Sequence, residues 1–287
     1  MTAKKIIIGC MSWGFWGKKL TTREQADLLQ FCVENGNTTF DHADLYGDYT
    51  NEADFGKAFI ENGVQREDIE IISKCGILNP GQTRKGDIKH YKYSKDYIIW
   101  SAEESLRNLK TDYLDTFLLH RPSPLMHPDE ISEAITHLQT SGKIKAFGVS
   151  NFTPSQVDMI DAKIPIVTNQ IEFSLTQHTA MFNGSLDHMI QKGIHPMSWS
   201  PLGSIFKSEN EQTARIQPIL KRLSEKYALA EDAILLAFVL KHPANVSPVI
   251  GTTNKERILN ANKALQTELE IEDWFELLIA SQGHQVP

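Results

Sequence analysis

The 287-residue chain lacks most of the features that mark a secreted, membrane-bound or nucleic-acid-binding protein. Its three cysteines, Cys10, Cys32 and Cys75, form no CxxC pair and no even-numbered framework, which points to a reducing setting and not to a disulfide scaffold. The first apolar run, Ile6 to Ile8, is too short for the core of a signal peptide. No window approaches the ~18 apolar residues of a membrane span. Positive charge is in deficit: 29 Lys and Arg against 36 Asp and Glu leave a formal net charge of -7. That balance argues against nucleic acid and against an anionic membrane surface, though not against a locally bound phosphate. The chain therefore reads as cytoplasmic, with a small molecule as its partner. No heptad seam is visible, so a monomer is the default. No linker, charge block or low-complexity stretch divides the sequence, which reads as one domain over residues 1–287.

What is present is alternation. Short apolar or β-branched runs at 5–9, 38–41, 69–74, 113–120, 144–149, 166–170, 195–199 and 246–250 are separated by segments of helical period. Several of those segments carry start and stop signals. Thr21 and Glu24 stand at capping-box spacing before a helix that closes on Asn35–Gly36. Thr153 and Pro154 read as N-cap and first helical residue. Eight strands alternating with helices predict a parallel (β/α)8 barrel. A doubly wound sheet is the rival, but Gly9-Cys10-Met11-Ser12-Trp13-Gly14 after the first strand lacks the GxGxxG spacing. Two connections are unusually long, 75–95 after the third strand and 202–212 after the seventh. Both fall on the face where barrel enzymes place their chemistry.

The strand ends are polar. Asp41 ends the second, Lys74 the third and His120 the fourth; Asn151 follows the fifth, Gln170 ends the sixth, and Ser200 follows the seventh. Strand ends converge about a barrel axis, so Asp41, Lys74 and His120 can face one site. Tyr46 lies five residues past Asp41, on the loop opening toward it. A phenol with a pKa of about 10 is a poor acid at neutral pH, and the expectation is that the Lys74 ammonium lowers it. Asp41 would hold Lys74, and His120 would donate a hydrogen bond to a substrate oxygen. Such a group stabilises and then protonates a developing alkoxide.

This set resembles the tetrad of the aldo-keto reductase superfamily. The likeness runs through the chain, from Phe40-Asp41-His42-Ala43-Asp44-Leu45-Tyr46-Gly47 and Ile72-Ser73-Lys74 to Leu118-Leu119-His120-Arg121-Pro122 and Gly148-Val149-Ser150-Asn151. It continues in Asn169-Gln170-Ile171-Glu172, Trp199-Ser200-Pro201-Leu202-Gly203-Ser204 and Ile250-Gly251-Thr252-Thr253. The resemblance implies NADPH-dependent reduction of aldehydes or ketones, with Tyr46 as general acid and NAD(H) as a second possible cofactor. It implies that Ser150 or Asn151 and Gln170 meet the nicotinamide carboxamide and that Trp199 stacks on the ring. Cys10 and Met11 would approach the cofactor, while Ser200, Leu202 and Ser204 would hold the pyrophosphate. Gly251, Thr252, Thr253, Arg257 and Asn260 fall where the family grips the adenosine phosphate.

Three departures stand out. Gly251 replaces a lysine carried by many members, and Asn260 falls near a usual glutamate. His42 stands where a threonine is more usual, and only 281–287 follow the last helix candidate, so no long terminal loop is expected over the site. Substrate choice then falls to Trp13, Phe15, Trp16 and the 75–95 loop. Asp44 beside His42 is a poor metal site without a third ligand. The runner-up function is an NADPH-binding regulatory or sensor subunit. A third is an unrelated barrel enzyme, a metal-dependent hydrolase or sugar-phosphate isomerase.

Overall fold

The computed structural model describes residues 4–286. The apolar runs become short strands: β1 (Ile7–Gly9), β2 (Thr39–Asp41), β3 (Glu70–Cys75), β6 (Leu114–Leu119), β7 (Ile144–Ser150), β8 (Thr168–Glu172), β9 (His195–Trp199) and β10 (Ser247–Ile250). They hydrogen-bond in the closed order β1-β10-β9-β8-β7-β6-β3-β2, an eight-stranded barrel. A further pair, β4 (Ile77–Leu78) and β5 (His90–Tyr91), forms a separate antiparallel hairpin. Parallel neighbours need crossovers, and helices supply them. These are α1 (Thr22–Glu34), α3 (Asn51–Asn62), α4 (Lys95–Leu109), α5 (Pro128–Thr140), α6 (Pro154–Asp161), α7 (Ser185–Lys192), α8 (Glu211–Tyr227), α9 (Glu231–Lys241), α10 (Lys255–Leu265) and α11 (Ile271–Gln282); the short segment α2 (Tyr46–Tyr49), between β2 and α3, is a tight turn with left-handed backbone at 47–49.

Two compact units make up the chain. The first comprises Ile7–Gln170 with Gly251–Thr253. Its parallel register runs Phe40↔Ile71, Asp41↔Ile72, Lys74↔Leu118, Leu118↔Gly148 and Ser150↔Gln170. Gly148 has a packing reason: an added Cβ would lie 2.5 Å from the Thr168 methyl and 2.7 Å from Leu118. The Thr21–Glu24 capping box opens α1, and a second one, Thr153 with Gln156, opens α6.

The second unit comprises Ile171–Ile250, residues 254–286 and residues 4–6. Here β9 pairs with β10 through Met197↔Ser247 and Ser198↔Pro248. Residues 233–240 of α9 are all buried, as expected of a helix apolar on every side. Trp274 stacks on Phe238 at 4.7 Å and donates its indole N–H to the Phe238 carbonyl, a packing role. No helix among the described residues is long and apolar enough to cross a membrane.

Three details depart from the sequence reading. Strand β8 begins at Thr168 and not at 166, because the Ile166 amide is taken by Asp161 Oδ1 in the turn after α6. Helix α8 begins inside the expected 202–212 connection, at Glu211, because the Asn210 side chain caps the Thr213 amide. The 75–95 loop contains the β4–β5 hairpin, whose two-residue strands are too short to show a period.

Candidate active site

Strands β2, β3 and β6 end side by side, and their termini carry the ionisable groups. Lys74 Nζ lies 2.7 Å from both Asp41 carboxylate oxygens, 2.8 Å from the His42 carbonyl and 3.3 Å from the Tyr46 hydroxyl. All of its donor capacity is used inside the protein, where Lys74 is 0% and Asp41 2% exposed. Burying the pair is costly and is recovered only by such close geometry. Burial alone would lower the Lys74 pKa, but Asp41 and Tyr46 more than offset it, and the net direction is upward. The ammonium therefore keeps its charge.

The Tyr46 phenol departs from expectation. Burial raises its pKa most, Lys74 lowers it, and the Asp41 charge raises it again; the net direction is up. Placing charge on a desolvated phenol costs more than one ammonium at 3.3 Å returns. Tyr46 is thus a neutral O–H donor at neutral pH, tempered by Lys74 without being brought toward neutrality. His120 follows β6, with its ring edge-on to Tyr46 at 5.9 Å. Burial, then Lys74 and Arg121, push its pKa well below the usual imidazole value. Its Nδ1 is buried without a hydrogen-bond partner. A neutral imidazole beside a neutral phenol can orient an oxygen.

Gln170 Nε2 donates to Asp41 Oδ1 at 3.0 Å, a link across 129 positions that no spacing announces. Ser150 Oγ donates to the Gln170 carbonyl at 2.9 Å, and Asn151 Nδ2 donates to Ser150 Oγ at 2.8 Å. These three residues, expected at the cofactor, form one chain ending on Asp41. Cys10 donates its backbone N–H to the Asp41 carbonyl, and burial together with the Asp41 charge raises its thiol pKa. Cys75 is buried and likewise raised, chiefly by desolvation. Met11 is half exposed.

Asn51, the first residue of α3, carries no functional signal in the sequence. Its Nδ2 donates to the Cys10 and Met11 carbonyls, both at 3.1 Å. An added Cβ at Gly14 or Gly47 would fall 2.0 or 1.9 Å from its Oδ1. Glycine at both positions lets Asn51 tie the β1–α1 loop to the Tyr46 turn.

Trp13 was expected at the substrate pocket but is 1% exposed, with its ring 6.3 Å from Phe40 and 6.0 Å from Phe55. It packs inward because Phe40 and Phe55 leave an aromatic niche. His42 joins that niche at 4.4 Å from Phe55, where burial and then Lys74 depress its pKa to about 3. Phe15 and Trp16 remain exposed. A cleft of about 420 Å³ is lined by Phe15 and Lys19, by Gly47 and Asp48 of the Tyr46 turn, and by Gln82 and Thr83 of the 75–95 loop.

In the second unit, Trp199 ends β9 and is followed by Ser200 with φ 50°. Gly203, with φ 59°, lies against Thr176, whose hydroxyl accepts the Ser204 amide at 3.0 Å. Leu202 and Ser204 are partly exposed on this loop. Asn254 caps α10 by accepting the Arg257 amide, leaving the Arg257 side chain exposed. Asn260, one turn on, accepts from Lys263. Gly251, with Thr252 and Thr253, belongs to the first unit, where the Gly251 carbonyl accepts the Ser12 hydroxyl at 2.6 Å. Among the described residues, no group of three His, Cys, Asp or Glu is placed to hold a metal ion.

The model of the aldo/keto reductase family matches residues 5–280. The uncharacterised oxidoreductase YcsN of Bacillus subtilis is 40% identical over 270 residues, covering 92% of this chain and 90% of its own. A 6-dehydroglucose reductase of Agrobacterium fabrum is 39% identical over 263 residues, covering 90% and 88%. The crystal structure of a thermostable aldo-keto reductase with the inhibitor epalrestat superposes with a TM-score of 0.81, at 26% identity over 96% of this chain and 94% of that one.

Proposed function

The chain belongs to the aldo/keto reductase family of oxidoreductases, and from that premise we propose that it reduces aldehydes or ketones to alcohols with NADPH, using Tyr46 as general acid. The observation that carries this reading is Lys74 Nζ, held 2.7 Å from Asp41 and 3.3 Å from the Tyr46 hydroxyl. The dinucleotide supplies the hydride when bound, and the protein supplies orientation and the proton.

Each residue then has a defined task. His120 donates an N–H to the carbonyl oxygen and fixes its direction. Tyr46 delivers its proton to that oxygen as negative charge develops there. Lys74 stabilises the phenolate left behind, in a site where burial strengthens the attraction. Asp41 keeps Lys74 in place, and Gln170 keeps Asp41 in place.

The chain's donors fit an anionic dinucleotide. Ser150, Asn151 and Gln170 would hold the carboxamide, Trp199 the ring, and Ser200, Leu202 and Ser204 the pyrophosphate; Cys10 and Met11 would approach the cofactor. Thr252, Thr253, Arg257 and Asn260 would meet the adenosine phosphate near the start of the eleven-residue α10. The exposed guanidinium of Arg257 is the reason to favour NADPH; Gly251, in place of a lysine, is the reason NADH remains an arm of the test. We take residues 1–287 as one catalytic domain acting as a monomer.

The test is loss of reduced-nicotinamide absorbance with methylglyoxal, benzaldehyde, glyceraldehyde and 6-dehydroglucose, with NADPH and with NADH. The last substrate is included because of the Agrobacterium relative's name. Turnover favouring NADPH is expected. Tight NADPH binding with no turnover on any substrate would replace this reading with that of a sensor subunit.

A further inference from the structure

The turn that carries Tyr46 has a rare backbone, and the segment after β3 is built onto it. Gly47, Asp48 and Tyr49 have φ of 62°, 58° and 67°. Glycine adopts the left-handed region freely, aspartate less so, and a bulky tyrosine seldom. Such a run persists where its surroundings fix it.

The surroundings are residues 77–84. Asp48 Oδ2 accepts the Gln82 and Thr83 amides at 2.8 and 2.9 Å. The Tyr49 hydroxyl donates to the Ile77 carbonyl at 3.2 Å and accepts the Asn79 amide at 2.8 Å. Ile77 also joins Ala43 and Leu45 in the apolar cluster on which Tyr46 and Tyr49 pack. The segment is closed by the Gly81 N–H donating to the Arg84 carbonyl at 2.8 Å.

Arg84 reaches both flanks of Tyr46. Its guanidinium lies 3.7 Å from the Tyr49 ring centroid and 4.9 Å from that of Trp100. Its Nη1 lies 3.9 Å from Asp44 Oδ2 and 3.4 Å from the Tyr97 hydroxyl. Asp44 is held in turn by the Ser101 hydroxyl at 3.1 Å. Asp44 stands two residues before Tyr46 and Tyr49 three after. One planar cation thus braces the proton donor's backbone on both sides without touching the hydroxyl.

We propose that Arg84 is a positioning residue for the Tyr46 proton, acting through Asp44 and Tyr49, and that residues 77–84 are the splint of the acid-bearing turn. The inference rests on Tyr46 being the general acid. A misplacement of about 1 Å can cost on the order of a hundredfold in rate, so a loosened turn reads out in kcat. Cofactor affinity should be untouched.

The experiment compares Arg84→Met, Arg84→Lys and Gly81→Ala, alone and in a Tyr46→Phe background, with methylglyoxal and NADPH. Gly81→Ala tests the splint independently and on an exposed loop, since its Cβ would lie 2.0 Å from Asp48 Oδ1. Arg84→Met and Gly81→Ala are expected to lower kcat by roughly tenfold to a hundredfold, with the NADPH Kd from fluorescence titration within about twofold. Arg84→Lys should restore part of the rate, because it keeps the charge toward Asp44 and loses the stacked plane. Neither change should cost further rate once Tyr46 is Phe. Unchanged kcat in both variants, or an equal loss in the Tyr46→Phe background, would overturn the proposal. Full turnover by Tyr46→Phe alone would overturn the acid assignment and this inference with it, and that control identifies which of the two has failed.

Discussion

Replacing Lys74 by methionine should destabilise the protein far more than a typical point change. Lys74→Met keeps the length of the apolar stem but removes the ammonium that satisfies both Asp41 oxygens and the His42 carbonyl. Asp41 is 2% exposed, and among the described residues only Gln170 Nε2, at 3.0 Å, remains as a side-chain donor. An uncompensated carboxylate at such a site costs about 3–5 kcal/mol, or roughly 10 °C in Tm for a chain of this size. Adding Asp41→Asn removes the orphaned charge, and the double variant should regain most of the loss, a coupling of at least about 2 kcal/mol. Denaturant midpoints of the wild type, the two single variants and the double variant measure that coupling. Single-variant losses that simply add would refute the reasoning, since the pair would then be worth no more than two unrelated side chains.

Asp44 provides a pH test. Burial, and next the Glu52 charge, raise its pKa to about 7, with Arg84 and Ser101 acting in the opposite direction. The folded value lies above the unfolded one, so the contribution to stability is present below about pH 4 and is lost as pH rises through about 7. A shift of ~3 units corresponds to ~4 kcal/mol at most. Asp44→Asn should therefore gain on the wild type in denaturant midpoint between about pH 4 and 7 and level off above; a difference that does not change with pH would contradict the assignment. For Arg257→Ala, loss of one charged phosphate contact predicts about a tenfold higher KM for NADPH and no change for NADH, read from steady-state kinetics with each cofactor. Equal effects on both would remove Arg257 from phosphate recognition.

Much of the barrel was legible because most strand residues are buried and so recur as short apolar runs between helical segments. The polar cluster at the strand ends was legible for the complementary reason: Asp41, Lys74 and His120 break those runs at their ends. Where neighbours far along the chain decide the outcome, the sequence was silent. Asp161 takes the Ile166 amide and delays β8. Phe40 and Phe55 draw Trp13 inward, against the expectation that it lines a pocket. Gln170 reaches Asp41 instead of standing alone at a strand end. The direction of the Tyr46 shift was misjudged because residue spacing reveals the ammonium but not the desolvation that outweighs it. The left-handed run at 47–49 had only Gly47 as a signal, since its other two members are an aspartate and a tyrosine held by distant groups.

The most direct test of the account is Tyr46→Phe, which removes one oxygen and leaves the packing on Ala43, Leu45 and Ile77 intact. Steady-state reduction of the fastest substrate and NADPH affinity by fluorescence titration should be measured on the same preparation. The expected result is a loss of about 10²–10⁴-fold in kcat, with NADPH bound as tightly as by the wild type. Turnover close to wild type would show that the proton comes from elsewhere and that Tyr46 is not the general acid.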